Sequence, residues 1–434
     1  MYTVGFYTLG CKVSSYETEA LREEFLRCGF RDLPFDELCD VYVINTCTVT
    51  AEGDAKSRKY IRRAKRMNPK AVVVVMGCYS QRSPDEIAAL GCVDVIIGTD
   101  GKMRAAELAL GVLNGEITDT PIVTVASLDG VAFEPMCITE APRTRAYVKI
   151  EDGCECRCSY CAISAARGPV RSKQPSDVLS EVKALASKGT REVVLTGIET
   201  GSYGKDIGTT LEELILLLDK EKAVERIRLG SMAPELMGEK FVSALRNSEI
   251  LVPHFHISMQ SGSSRILALM RRRYNREQAM INIARIKSIN PSVMLTADLM
   301  VGFPGESDED FADTLSFVRE ARLLDAHVFI YSEREGTDAV TFKDKVQPSV
   351  AKARSAALIA EKNRVRDEIL CEVTSRGEPL KVIFESEDGG YYTGHTDSYI
   401  EVVAKSSRNV CTELIEVIPE YAKDGKIYCK IPNM

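Results

Sequence analysis

No run of apolar residues in this chain is long enough for a transmembrane helix. Residues 1–10 lack a basic segment followed by an apolar run, so no secretory signal peptide is expected. The protein is therefore expected in the cytoplasm, with no membrane partner. Low-complexity tracts and clear internal repeats are missing as well, which leaves out repeat architectures and disordered tails. An excess of positive charge is also lacking. The formal net charge is −7, so a nucleic-acid partner is not favoured globally and needs local basic patches. Against these absences stand fourteen cysteines. Without a secretory signal they point to a reducing compartment and to metal ligation in place of disulfides. The length of 434 residues, with 45% hydrophobic and 27% charged, suits an ordinary globular protein of two or three domains.

The stretch Cys154-Glu155-Cys156-Arg157-Cys158-Ser159-Tyr160-Cys161 places Cys154, Cys158 and Cys161 at C-x3-C-x2-C spacing. Three thiolates on one short loop can hold three irons of a four-iron–four-sulfur (4Fe–4S) cube. The fourth iron is then open to a substrate or cofactor. The pattern resembles the signature of the radical S-adenosylmethionine (SAM) enzymes, in which the open iron chelates SAM and an electron from the cluster cleaves it. A zinc site or a chance cluster is the alternative, but the spacing is unusual for zinc and no His lies nearby. Cys156 stands outside the spacing, as a spare ligand or a small buried residue.

The N-terminal third repeats one plan. Strands are expected at Thr3 to Thr8, Val41 to Asn45 and Ala71 to Met76, with helices from about Ser15 and about Ala51. The last strand is apolar throughout, as a buried parallel strand should be. Cys11, Cys47 and Cys78 each follow a strand end. Ligands gather at the carboxyl edge of open α/β sheets, so these three cysteines are candidates for a second cluster. Three unrelated small residues are the alternative. Cys28, Cys39, Cys92 and Cys137 lack this placement. The second helix carries Lys56, Arg58, Lys59, Arg62, Arg63, Lys65 and Arg66, which could grip phosphates or form a solvated face.

From Tyr147 to about Tyr331 strands and helices alternate. Strands are expected at Tyr147–Ile150, Glu192–Thr196, Arg226–Leu229, Phe255–Met259, Leu295–Val301 and His327–Tyr331. Ser176, Asn275 with Gln278, and Ser307 with Asp308, Glu309 and Asp310 are expected helix starts. Six βα units do not close an eight-stranded barrel, and an open six-stranded part-barrel fits. Its strand-end face carries Gly197, Glu199, Ser231, Gln260, Asp298 and Gly302 as candidates to hold SAM. His254 and His256 read as core or surface residues. Arg271 and Arg272, in the run Arg271-Arg272-Arg273, join Arg58, Arg62, Arg63 and Arg66 as candidate RNA contacts.

A helix from Ser349 to about Leu370 precedes five short strands that suggest a small β-barrel. Residues 371–434 hold seven Lys plus Arg against eleven Asp plus Glu, so a uniform basic RNA platform is excluded. Stacking on RNA by Tyr391, Tyr392, His395 and Tyr399 stays open, with packing as its alternative.

Three motifs carry a closer resemblance: Thr8-Leu9-Gly10-Cys11-Lys12-Val13, Asn45-Thr46-Cys47-Thr48-Val49-Thr50 and Gly77-Cys78-Tyr79-Ser80-Gln81. With Phe255-His256-Ile257-Ser258-Met259-Gln260-Ser261-Gly262 and Val301-Gly302-Phe303-Pro304-Gly305-Glu306, they resemble those of the methylthiotransferases, a branch of the radical SAM enzymes. The tail around Tyr392-Thr393-Gly394-His395-Thr396-Asp397 resembles that family's TRAM domain. Cys156 and Ser14 depart from the family pattern without removing a ligand.

The resemblance implies an α/β chain of three parts: an open parallel-sheet cluster domain (1–130), a radical SAM (βα)6 partial barrel (140–370) and a TRAM-like β-barrel (371–434). It implies two 4Fe–4S clusters, on Cys11, Cys47 and Cys78 and on Cys154, Cys158 and Cys161, with SAM at the latter, catalytic, set. It also implies a tRNA anticodon stem-loop as substrate, a flavodoxin- or ferredoxin-like electron donor and a sulfur donor. Residues 228–232, 270–274 and 331–337 point to the branch acting at carbon 2 of N6-threonylcarbamoyladenosine. The alternatives are isopentenyladenosine tRNA, a ribosomal protein Asp, or a non-catalytic iron–sulfur RNA-binding protein.

Overall fold

A computed structural model describes residues 1–119, 121–141 and 144–432. The N-terminal segment forms a six-stranded sheet in the order Arg31–Leu33, Thr3–Thr8, Val41–Thr46, Val72–Gly77, Val95–Ile97, Ile122–Thr124. Every pairing is parallel. The two central strands are buried at every position, because helices cover both faces. Val41, Val43, Val72 and Val74 pack under Leu21 and Phe25 of the helix Lys12–Arg27 and under Ala105 and Ala109. Tyr42, Ile44, Val73 and Val75 pack under Ile61 and Ala64 of the helix Ala51–Met67. The three strands expected from sequence are present. The other three are only three residues each, too short to carry a period. The first helix begins at Lys12, ahead of the expected Ser15, with Cys11 as its N-cap.

The middle of the chain holds the expected part-barrel. Arg145–Lys149, Glu192–Thr196 and Arg226–Leu229 form one parallel sheet, and His254–Gln260, Met294–Val301 and Leu323–Ile330 form another. Parallel bridges between Ile227 and Leu251 and between Met232 and Ile257 join the two into one open arc. Ser176 is not the cap expected of it. The helix Pro175–Ser187 starts with Gln174 at the cap and Pro175, whose fixed φ suits the first turn, so Ser176 lies inside. The Asn275 box does form, with Asn275 accepting from Gln278 N at 2.8 Å and Gln278 accepting from Asn275 N at 3.0 Å.

At the next helix, Asp308–Ala321, the box pairs Ser307 with Asp310. The Asp310 carboxylate accepts from Ser307 N at 2.9 Å and Ser263 Oγ at 2.6 Å, and it pairs with Arg265. It thereby ties the loop after Gln260 to the loop after Val301. Burial pushes this carboxyl up, but the bonds from Arg265, Ser263 and Ser307 outweigh it and hold it well below the usual range. Its stabilisation is therefore present above the unfolded value near pH 4 and fades as pH falls below it. Asp310→Asn should cost about 1.5–3 kcal/mol at pH 7, the range for hydrogen bonds to a charge. Urea melts at pH 7 and pH 3 should show that difference shrinking at the lower pH.

The helix Pro348–Arg376 runs past its expected end to a closed barrel of the strands Leu380–Asp388, Tyr391–Thr396, Glu401–Lys405, Leu414–Lys423 and Lys426–Lys430. Gly394 is required at its crossing, since a Cβ there would stand 2.2 Å from the Ile383 carbonyl oxygen. This barrel docks on the N-terminal ends of the part-barrel strands. Arg145 reaches Glu385 at 2.8 Å, Arg226 donates to the Lys381 carbonyl at 2.9 Å, and Arg228 donates to the Asp397 carbonyl at 3.0 Å. Tyr399 stacks on His254 and His395, with centroids 4.5 and 4.7 Å away. Packing therefore claims Tyr399 and His395, and Tyr392 is buried too. Only Tyr391 keeps half of its surface in solvent.

Candidate functional site

The cysteine loop leaves the barrel after the strand Arg145–Lys149 and returns through Arg171–Ser172, which pairs with Glu151–Asp152. Gly153 opens it at φ +93°, where a Cβ would meet the Pro169 carbonyl oxygen at 1.9 Å. Cys154 N–H donates to the Gly168 carbonyl at 3.0 Å and Cys161 N–H to the Cys158 carbonyl at 3.1 Å. Cys158 Sγ accepts from Arg272 at 3.2 Å, and Cys161 Sγ from Ile163 N–H at 3.4 Å. Burial pushes the Cys161 thiol up to about 11 and raises Cys158 against the pull of Arg272. Cys156 stands against Cys154, whose Sγ accepts the Cys156 N–H at 3.5 Å. The hydrogen bond from the Cys154 thiol, helped by Arg273 and Arg272, brings Cys156 down to about 6.

On the sheet side, Cys11 caps the helix Lys12–Arg27, Cys47 follows Val41–Thr46, and Cys78 opens the short helix Cys78–Arg82. The three converge at the carboxyl edge. Cys47 lies within electrostatic reach of Cys78 and Cys11, and Cys78 within reach of Cys11. A Cβ on Gly10 would lie 3.4 Å from Cys47 Cβ. Gly77, at φ +104°, leaves room for Asn45 Oδ1, which a Cβ would approach to 2.6 Å. Burial pushes Cys47 up to about 11 and raises Cys78.

Arg167 joins the two sides. It ends the short helix Ile163–Arg167, which follows the cysteine loop, and its Nε donates to Cys78 Sγ at 3.1 Å. Its other nitrogens hold Glu17 at 2.5 Å and Asp152 at 3.1 Å. Lys102 and Lys149 add contacts to Glu17 at 3.1 and 2.9 Å, and Lys149 meets Asp152 at 2.6 Å. All five side chains are buried. Sequence inspection missed this network, because its members come from four separated segments with no motif spacing.

The residues fit iron–sulfur clusters. No cysteine is in a disulfide, each triad has an arginine N–H on its most buried sulfur, and hydrogen bonds to sulfur are a recognised control on such clusters. Burial disfavours ionisation of Cys47, Cys78, Cys158 and Cys161 on their own, and metal ligation would ionise them.

Of the candidates to hold SAM, Gly197, Glu199, Ser231 and Gln260 stand at the carboxyl ends of three successive strands. Glu199 accepts from Ala233 N–H at 3.3 Å, and burial brings it up to about 7. Gly197 acts through a neighbour. A Cβ there would fall 2.3 Å from Glu151 Oε2, which accepts the Glu199 N–H at 3.0 Å. Gly302 lies in the turn after Met294–Val301, where the space a Cβ would need is taken by Ala351 Cβ at 2.7 Å and its own N–H donates to Glu306 at 2.8 Å. Asp298 lies mid-strand with His256 and His327 on its oxygens, both at 3.2 Å. These three gather donor atoms within 4.8 Å of one another, whereas from sequence alone His256 reads as a core or surface residue and Asp298 as a candidate for SAM. The available signal was His254-x-His256 on one strand face, with Asp298 on the next strand.

The basic residues divide. Arg58 pairs with Glu86 at 2.8 Å, Arg63 with Asp36 at 2.7 Å, and Arg271 with Asp338. Such exposed pairs are weak and exchangeable. Arg62 and Arg66 share a shallow groove with Lys59. Arg272 is a correction, because it turns inward to Cys158 and to the Ser258 carbonyl at 3.0 Å and does not face RNA.

The chain matches the radical SAM superfamily over residues 148–318 and the uncharacterized protein family UPF0004 over residues 3–98. It is 38% identical to threonylcarbamoyladenosine tRNA methylthiotransferase MtaB of Bacillus subtilis, covering 96% of this chain and 93% of that one. Identity to the Aquifex aeolicus enzyme of the same name is 36%, over 94% and 98%. A tRNA-2-methylthio-N(6)-dimethylallyladenosine synthase of Acetivibrio thermocellus is 32% identical, over 94% and 87%. Among solved structures, the radical SAM methyltransferase TsrM of Kitasatospora setae shares the fold, with TM-score 0.55, 16% identity and coverage of 76% and 75%. Among the described residues no helix is long and apolar enough to cross a membrane.

Proposed function

Because this chain belongs to the radical SAM tRNA methylthiotransferases, we propose that it adds a methylthio group to carbon 2 of N6-threonylcarbamoyladenosine beside a tRNA anticodon. Cys154, Cys158 and Cys161 would hold one 4Fe–4S cluster, and Cys11, Cys47 and Cys78 the other. When bound, these clusters supply the electron that cleaves SAM and the sulfur that enters the product. The residues around them do the rest. Arg272 and Arg167 set one N–H on a sulfur of each triad, offsetting thiolate charge. Glu199, poised near neutrality beside the loop, is the acid for the SAM amino group, with Ser231 and Gln260 at the neighbouring strand ends. Arg62 and Arg66, with the exchangeable Arg58, Arg63 and Arg271, are offered to tRNA phosphates.

We assign residues 1–130 to sulfur insertion, 140–370 to SAM chemistry and 371–434, the TRAM-like barrel, to tRNA contact. A flavodoxin- or ferredoxin-like protein would donate electrons, and a separate donor would resupply sulfur. The observation that carries the reading is Arg167, which ends the short helix following the loop of one triad and donates to a sulfur of the other. Mass spectrometry of tRNA nucleosides from a deletion strain tests the substrate. The expected result is loss of 2-methylthio-N6-threonylcarbamoyladenosine with its unmethylthiolated precursor accumulating. Loss of the 2-methylthio isopentenyl nucleoside instead would overturn the assignment.

A further inference from the structure

We propose that Lys12 binds the carboxylate of the substrate's threonylcarbamoyl group and so selects that base over uncharged adenosine derivatives. The inference rests on the substrate reading above and extends it to a residue. Lys12 is the first residue of its helix and directly follows Cys11. Its side chain is half-buried and faces the part-barrel, where its charged neighbours are Arg145, Arg228 and Asp298, with Cys11 beside it.

Every other cation of this neighbourhood is engaged. Arg145 holds Glu385 at 2.8 Å, Arg228 holds Glu192 at 2.9 Å, and His256 and His327 share Asp298. The Lys12 ammonium alone has no hydrogen-bond or ion-pair partner among the described residues. A cation withdrawn from water without a counter-charge is costly, so the site favours an incoming anion. The two arginines already have Glu385 and Glu192 as counter-charges, and Asp298 is already shared between two imidazoles, so none of these acids pairs with Lys12.

The chemistry of the base completes the argument. The threonylcarbamoyl group ends in a carboxylate, whereas an isopentenyl group is pure hydrocarbon. N6 and carbon 2 lie on the same edge of adenine, separated by C6 and N1. An N6 substituent anchored one residue from Cys11 therefore keeps carbon 2 beside the sheet-side triad.

The test is binding of synthetic anticodon stem-loops to the reconstituted full-length protein, read by fluorescence anisotropy. The stem-loops carry N6-threonylcarbamoyladenosine, isopentenyladenosine or plain adenosine. Wild type should prefer the first. Lys12→Met should lose roughly 10- to 100-fold of its affinity for that RNA, as expected for a lost charged hydrogen bond, and little for the others. Lys12→Arg should keep the preference. Iron content and substrate-free SAM cleavage, measured alongside, should match wild type. If wild type prefers the threonylcarbamoyl stem-loop and Lys12→Met does so equally, the role of Lys12 is overturned while the substrate reading stands. If wild type shows no preference, or prefers the isopentenyl RNA, the substrate reading falls and the inference with it.

Discussion

Cys154→Ala should abolish reductive cleavage of SAM, whereas Cys47→Ala should leave that cleavage near wild type and stop methylthiolation. The asymmetry follows from the separation of the two triads. Cys154 belongs to a ten-residue turn whose shape is fixed by Gly153 and by backbone bonds to Gly168 and within Cys158–Cys161. Cys47 belongs to the sheet edge, held by the buried strand Val41–Thr46 and by the cap that Thr50 forms on Gly53 at 3.1 Å. Neither substitution reaches the backbone of the other site. One complication is built into the loop, because Cys156 lies against Cys154 and is the more easily ionised of the two. A Cys156→Ala background removes that rescue. The measurements are 5′-deoxyadenosine, methylthiolated nucleoside and iron per chain, all under anaerobic conditions. Methylthiolated product from Cys47→Ala would sink the division of labour between the triads.

The cysteines were legible because ligand spacing and strand ends are local properties. So were the strands with unbroken apolar runs, such as Val72–Gly77, and the capping box at Asn275. Three-residue strands at Arg31, Val95 and Ile122 were not legible, since their burial comes from longer neighbours. The arginine run shows why charge patterns mislead. Arg271–Arg273 looks like one exposed cationic patch. Arg271 sits at φ +57°, and this turn sends Arg271 outward to Asp338 while Arg272 swings inward to Cys158. The cation at each sulfur triad therefore appears only when the chain is folded. Arg167 is the same case at longer range, with partners 150 and 15 residues away.

Glu17→Gln should destabilise the protein by about 3–5 kcal/mol, the penalty for leaving a buried charge uncompensated. Glu17 is fully buried and receives Lys102, Lys149 and Arg167. Removing its charge leaves Asp152 to Lys149 and Arg167, and Asp152 makes no ion pair with Lys102. Lys102, with none of its surface in solvent, would keep only Glu134 at 4.0 Å and the Thr99 carbonyl. Burial pushes the Glu17 carboxyl up, but Arg167, Lys102 and Lys149 outweigh it and hold it well below the usual range. Its contribution is thus present above the unfolded value near pH 4.3 and is lost as pH falls below it. The gap between wild type and Glu17→Gln in urea midpoint should accordingly narrow from pH 7 to pH 3. Glu17→Gln combined with Lys102→Met should recover most of the loss, since deleting both members of a buried pair costs far less than deleting one. The consequence extends to function, because the Glu17 contacts aim the Arg167 guanidinium so that its Nε meets Cys78. Iron bound by the Cys11, Cys47 and Cys78 set should therefore fall in Glu17→Gln, while the Cys154, Cys158 and Cys161 set keeps its share. A single variant within about 1 kcal/mol of wild type, well under that buried-charge penalty, would mean that this network does not hold the two sites together.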